Sequence, residues 1–153
     1  MPRIDLPAAT RNKIAPLLTA RLADAIDMQA RAKHAHWNIT GSNFIALHEL
    51  FDKVADHAEN AADEIAERTR ALGHDAQGLL PHAAKTTSLP TYKAKTGEDH
   101  LPALADSLAA FGKLLRAASD TADELDDANT ADLFTALSRE NDKLLWFLES
   151  HES

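Results

Sequence analysis

His48 and Asp52 stand four residues apart, and so do Asp63 and Glu67. On a helix, residues at that spacing project from one face, so each pair can grip a single cation. Imidazole with carboxylate suits borderline divalent metals such as iron, manganese or zinc. His36 precedes the first pair and can join it as a third ligand if its helix packs alongside. An ordinary reading competes with this one. His48 and Asp52 can be a surface polar pair, Asp63 can pair with Arg70, and Glu67 with Arg68 or Arg70, on a solvated face. Trp37, next to His36, is by default a core or cap residue.

Proline and glycine mark out the elements that would carry these side chains. Neither occurs between Leu17 and Thr40 or between Ser42 and Leu72, and from Ala103 onward only Gly112 intervenes. The pattern predicts a first helix that begins near Asn12–Pro16, because proline is tolerated in an opening turn, and stops around Asn38. Leu18, Leu22, Ala25, Gln29, Ala32 and His36 lie on one stripe of it. A second helix is expected from about Asn43, capped by Asn or Ser, with Gly73 as its stop. Its apolar face runs through Leu47, Leu50, Phe51, Val54, Ala58, Ala61, Ala62 and Ile65. A third is expected near Asp99–Leu125 and a fourth through Leu133, Phe134, Leu137, Leu144, Leu145 and Leu148. Short links make each pair an antiparallel hairpin. The roughly 25 residues from Gly73 to Gly97 can run the length of a bundle. A short helix is expected in that connection, at Gly78–Ala84 or Thr91–Lys95.

The centres of the 48/52 and 63/67 pairs lie about 22 Å apart at ~1.5 Å per residue. They share a broad face but not a metal. A two-fold axis reconciles them. If two copies of the second helix cross antiparallel near residues 57 and 58, the 48/52 pair of one meets the 63/67 pair of the other, giving two equivalent sites about 20–25 Å apart. This geometry predicts His57 near the axis, close to its symmetry mate. His74, His82, His100 and His151 are read, with His57, as surface or interface residues.

Composition narrows the class. The chain has 153 residues, enough for one domain. Residues 1–12 read as a short N-terminal tail and 13–151 as a single domain. Its apolar share rests on Ala and Leu, with 5% aromatic residues and no cysteine. That favours an all-α fold, excludes disulfides, thiolate metal sites and cysteine nucleophiles, and suits a reducing cytoplasm. No apolar run approaches the roughly 18 residues of a membrane span, so no membrane partner is expected. The net charge of −8 disfavours a nucleic-acid-binding body. From Ala117 to Ser138 there is no Lys or Arg, while Asp120, Asp123, Glu124, Asp126, Asp127 and Asp132 accumulate. Such a run is either a solvated loop or, where copies surround an axis, a cation funnel. No Glu is followed three residues later by His and no His-x-x-x-His occurs, which disfavours di-iron sites completed within one chain.

The stretch HWNITGSNFIALHELFD, the segment DEIAERTRALG and the fourth-helix stretch TADLFTALSRENDKLLWFLES resemble the Dps family, mini-ferritins that protect bacterial DNA during starvation. The resemblance extends from about Lys13 to Leu148. It implies a ferritin-like four-helix bundle with one long crossover carrying a short helix, assembled as a hollow dodecamer. It implies an intersubunit ferroxidase centre, with His36, His48 and Asp52 from one subunit and Asp63 and Glu67 from its two-fold mate. Iron would be bound and oxidised there, with hydrogen peroxide as oxidant, and stored as ferric mineral. Trp37 and Trp146 match family tryptophans, and Trp37 is either an electron donor or a packing residue. Asp132, with Asp126 or Asp127, becomes the candidate pore set. A cytoplasmic protein that can associate with the nucleoid is expected. Before the bundle the chain offers only Arg3, Arg11 and Lys13, so DNA binding is expected to be weak or absent. Two alternatives remain: a mainly DNA-binding nucleoid protein with a secondary metal site, and a helical oligomer that binds manganese or zinc without redox turnover.

Overall fold

A computed structural model describes residues 2–152; Met1 of the N-terminal tail and Ser153 of the acidic C-terminus lie outside the described residues. The described residues form five helices: α1 (Ala8–Asn38), α2 (Phe44–Ala71), α3 (Leu80–Thr86), α4 (His100–Glu124) and α5 (Ala128–Glu149). The four long ones close a ring, α1 on α2 and α4, α5 on α4 and α2, while α3 lies on α1. The expected third and fourth helices are thus α4 and α5, and the short crossover helix forms at the first of its two candidate positions. Residues 91–95 are not helical.

The apolar stripes meet inside this ring. Ile14, Leu18, Met28, Phe51, Val54, Ile65, Leu104, Phe111, Leu115, Phe134 and Leu148 are fully buried there. Burial on this scale is what holds α1 beside α2 and so fixes which of their polar residues can meet.

α1 starts a turn earlier than its proline suggests, so Pro16 sits inside the helix. That proline has no amide hydrogen to offer the Asn12 carbonyl. The N-terminal end is held instead by Arg11, whose guanidinium donates to the carbonyls of Leu6 and Leu72 at 3.1 Å each. α2 ends where expected. Gly73 has φ +89, His74 N–H donates to Thr69 C=O, and Gly73 N–H to Arg70 C=O, the paired bonds of a Schellman stop.

The crossover is pinned to α1. Ser88 N–H donates to the buried carboxylate of Asp24 (2.6 Å), and the Thr87 hydroxyl donates to Asp27 (2.7 Å). Further on, the Tyr92 hydroxyl is hydrogen-bonded to His100 Nδ1 at 2.7 Å, and burial pushes its pKa up to about 12. Because His34 packs edge-on against both rings, the start of α4 is set beside the end of α1.

Two histidines expected at a surface are buried, His100 and His57. His57 therefore turns away from the face on which the two-fold axis was expected, and its reading as a residue facing its symmetry mate is corrected. Nine residues are two and a half turns, so position 57 points half a turn away from position 48, into the bundle. There its Nε2 meets Asn141 Oδ1 at 3.2 Å, and Asn141 Nδ2 donates to Leu108 C=O. Gly112 makes room for this: a Cβ there would come within 2.7 Å of Asn141 Nδ2.

Candidate metal centre

α1 and α2 run antiparallel, which sets the last turn of α1 beside the first turns of α2 and brings His36 to His48. Their rings stack, with centroids 3.6 Å apart. His36 Nδ1 lies 2.5 Å from the carbonyl of His48, and His48 Nδ1 lies 2.7 Å from the carbonyl of His36. A carbonyl only accepts, so each Nδ1 carries the hydrogen, and in the neutral ring Nε2 keeps its lone pair. The bond to His36 C=O also satisfies one of the terminal carbonyls that α1 leaves without a helical partner. Two imidazoles are thereby fixed in the tautomer that presents Nε2 to a metal.

Asp52 lies one turn further along α2, close enough to both histidines for their charges to act on it. Lys33, one turn back on α1, donates from Nζ to Asp52 Oδ1 at 2.7 Å. That hydrogen-bonded ammonium holds the Asp52 carboxyl below the usual carboxylate range. His36 and His48 are thus brought together as expected, Asp52 stands one turn on in an ion pair rather than closing a three-ligand group, and Lys33 joins unforeseen.

Asp63 and Glu67 are exposed on the same helix. Because α2 is one unbroken helix from Phe44 to Ala71, they stay about 22 Å from the histidine end at ~1.5 Å per residue. Among the described residues of one chain, no three His, Asp or Glu side chains gather into a group that could hold a metal ion. The pairings that would make these carboxylates ordinary are absent among the described residues. Arg68 bonds Asp127 and Arg70 bonds Asp75 instead. His48, Asp52, Asp56, Glu59, Asp63 and Glu67 fall on one stripe about 100° wide. Its middle is therefore occupied by Asp56 and Glu59, where His57 had been expected. Beside it, a cleft of about 720 Å³ between α1 and α2 is lined by Leu22, Ile26, Gln29, Asp56 and Asp63 among others.

Trp37 is 67% exposed and Trp146 61%, so neither is a core residue of this chain. Of the acidic residues near the α4–α5 turn, Asp126 and Asp132 are exposed, whereas Asp127 is 2% exposed. Asp127 accepts from Thr130 N–H as the cap of α5 and from Arg68 Nη2 at 2.9 Å. Arg68 Nε also donates to Thr130 Oγ1. Asp127 is therefore removed from the pore candidates: its carboxylate is consumed in joining α2 to α5. The signal was present in Asp127-Ala128-Asn129-Thr130, an acidic cap residue before an apolar stripe.

A four-helix ring closed by one long crossover, with imidazole and carboxylate donors on facing helices, defines the ferritin-like class, and the ferritin-like domain family matches residues 16–152. Within that class the chain is 42% identical over 149 residues to the DNA protection during starvation protein of Agrobacterium fabrum, covering 96% of this chain and 92% of that one. Its fold superposes on DpsC from Streptomyces coelicolor with a TM-score of 0.91 at 28% identity, covering 100% of this chain and 91% of that one. The Dps of Mycobacterium smegmatis gives the same TM-score at 29% identity, covering 99% and 93%. The chain belongs to the Dps family.

Proposed function

We propose that this protein is an iron-storing ferroxidase, whose metal centre is shared between two subunits. The observation that carries the reading is the reciprocal bonding of His36 and His48, which leaves two Nε2 donors beside the carboxylate of Asp52. The exposed carboxylates of Asp63 and Glu67, on the same stripe and without a cation among the described residues, supply the other half when two copies of α2 cross antiparallel. This is a set of nitrogen and oxygen donors that fits iron in both oxidation states, since carboxylates favour the harder ferric ion.

Two Fe(II) ions, the substrate, each give one electron to one hydrogen peroxide. The O–O bond breaks, and with two protons the oxygens leave as water, so no hydroxyl radical is released. The ferric product is stored as mineral inside a dodecameric shell, where the exposed carboxylates of Asp132 and Asp126 draw cations inward. Trp37, the exposed neighbour of His36 in the chain, is read as the electron donor when only one iron is present. Removing Fe(II) and peroxide together is how such a protein protects DNA in the cytoplasm, without holding it tightly. The alternative of a mainly DNA-binding nucleoid protein is disfavoured, because Arg11, one of the three basic residues nearest the N-terminus, lies in α1 and is spent on Leu6 and Leu72.

The test is anaerobic Fe(II) loading followed by peroxide. The native chain should oxidise iron rapidly, and His48→Ala and Asp63→Ala should each lose most of that activity. Mixing the two variants under subunit exchange should restore about a quarter of the centres, because half the dimers are hybrids and each hybrid keeps one whole site. Absence of complementation sinks the shared site.

A further inference from the structure

The contact that pairs His36 with His48 also pairs Lys33 with Asp52. Lys33 is one turn before His36 on α1, and Asp52 one turn after His48 on α2, so in an antiparallel pair the two fall opposite each other. The Nζ–Oδ1 distance is 2.7 Å, and both side chains stay more than a third exposed. An ammonium donates three hydrogens and accepts none, so its place on Asp52 is one that a metal ion seeking the same lone pairs must take. Asp52 is one turn from His48 on α2, whereas Asp63 and Glu67 lie further along the helix. No histidine or second carboxylate competes for Lys33, which forms its one ion pair here.

We propose that Lys33 is a built-in counter-cation for Asp52, displaced by an incoming divalent ion, and so sets how tightly the half-site holds its first metal. This rests on the reading of His36, His48 and Asp52 as ligands. The physical sense is a filter. A monovalent cation offers Asp52 no more charge than the tethered ammonium and lacks its covalent proximity. Only an ion that also binds the two imidazole Nε2 atoms gains enough to evict it. Lys33 then swings into solvent but stays near enough to repel a further weakly held cation.

The experiment is calorimetric titration of the assembled full-length protein with Co(II), without oxidant. It compares the native chain with Lys33→Gln, Lys33→Arg, His48→Ala and Asp52→Asn, and with the Lys33→Gln, Asp52→Asn pair. Lys33→Gln should bind the first Co(II) about 3- to 10-fold more tightly, and Lys33→Arg should stay within about twofold of the native chain, since an exposed ion pair couples only weakly. In the Asp52→Asn background the Lys33→Gln change should have no effect. Equal or weaker binding by Lys33→Gln, with His48-dependent binding intact, overturns the counter-cation. So does an equal gain in the Asp52→Asn background. If no Co(II) binding in any variant depends on His48, the half-site reading falls and this proposal with it.

Discussion

His36 and His48 each donate from Nδ1 to the other's backbone carbonyl, so the two rings form one closed clamp between α1 and α2. Each ring is oriented by the other residue's main-chain carbonyl, which an alanine keeps, so removing one ring takes away an Nε2 donor and a stacked neighbour but leaves the remaining ring's hydrogen bond in place. His36→Ala and His48→Ala should therefore each weaken Co(II) binding by at least about tenfold, the lower end of what losing even an outer-shell partner costs. The double variant should bind more weakly than either single one, because two donors are lost rather than one. A double variant that binds as well as either single one, measured by calorimetry, would show that only one of the two rings is a ligand.

Asp132 projects from the first turns of α5 into solvent, and Asp126 from the turn before it. Around a three-fold axis each carboxylate is tripled, and a negative funnel concentrates cations. Asp132→Asn should slow iron uptake several-fold at low salt while peroxide consumption by preloaded protein is unchanged. The slowing should fade as salt rises, because exposed charges are screened over about 10 Å at 0.1 M. Uptake that does not change in stopped-flow absorbance removes Asp132 from the entry path.

Asp127 does different work from its neighbours. It is buried against Arg68 and caps α5 through Thr130. Leaving Arg68 without its partner costs about 2–4 kcal/mol, somewhat below the range for fully buried pairs because the guanidinium retains some solvent. Asp127→Ala should lower the melting temperature clearly while iron uptake per folded cage stays unchanged. Asp126, in contrast, holds φ +61 without being glycine. Asp126→Gly should raise stability by a few tenths to 1 kcal/mol by relieving that conformation. A loss of stability in denaturant melts would contradict this account of the turn.

The contrast between these two neighbours says what a sequence can carry. Helical stripes and the Gly73 stop are local patterns, so α2 and α4 were legible to within a residue or two, whereas α5 was legible as an apolar stripe without its start. Pro16 was misleading because the helix that passes through it is held by Arg11 reaching Leu72, a contact between residues far apart in the chain. The ligand types at 36, 48 and 52 were legible, but the reciprocal Nδ1 bonds and Lys33 depend on how far α1 slides along α2, which no spacing within one helix encodes. His57 was the opposite case. Its half-turn offset from His48 was available by counting, and its three-residue step from Val54 placed it on the apolar face.

DNA binding provides a fourth test. Of Arg3, Arg11 and Lys13, Arg11 is held by two carbonyls, which leaves Arg3 and Lys13 to meet phosphate. A chain of net charge −8 offers little else. Affinity that depends on few phosphate contacts is feeble and falls with salt. Gel shifts should appear at neutral pH only in low salt and vanish near physiological ionic strength. A shift that persists there would mean that a basic surface forms only on assembly.

The last expectation concerns acid. Burial holds the His57 imidazole below its ordinary pKa of 6.5, against the opposing pull of Asn141, Glu140 and Glu64. The folded chain therefore keeps His57 neutral over a pH range in which the unfolded chain would already protonate it. The unfolded state binds the extra proton, so this contribution is fully present above about pH 6.5 and is lost as pH falls from there towards the folded pKa. One proton sets the slope at no more than about 1.4 kcal/mol per pH unit. Asp24 acts in the other direction: burial raises its pKa, so its charge costs stability above that value, and acid relieves the cost. The two are separated by substitution. Melting temperatures between pH 5 and 8 should fall on acidification in the native chain and fall less steeply in His57→Gln, whose side chain keeps a donor for Asn141 but cannot titrate. Parallel curves for the two proteins would mean that His57 is not the group being protonated.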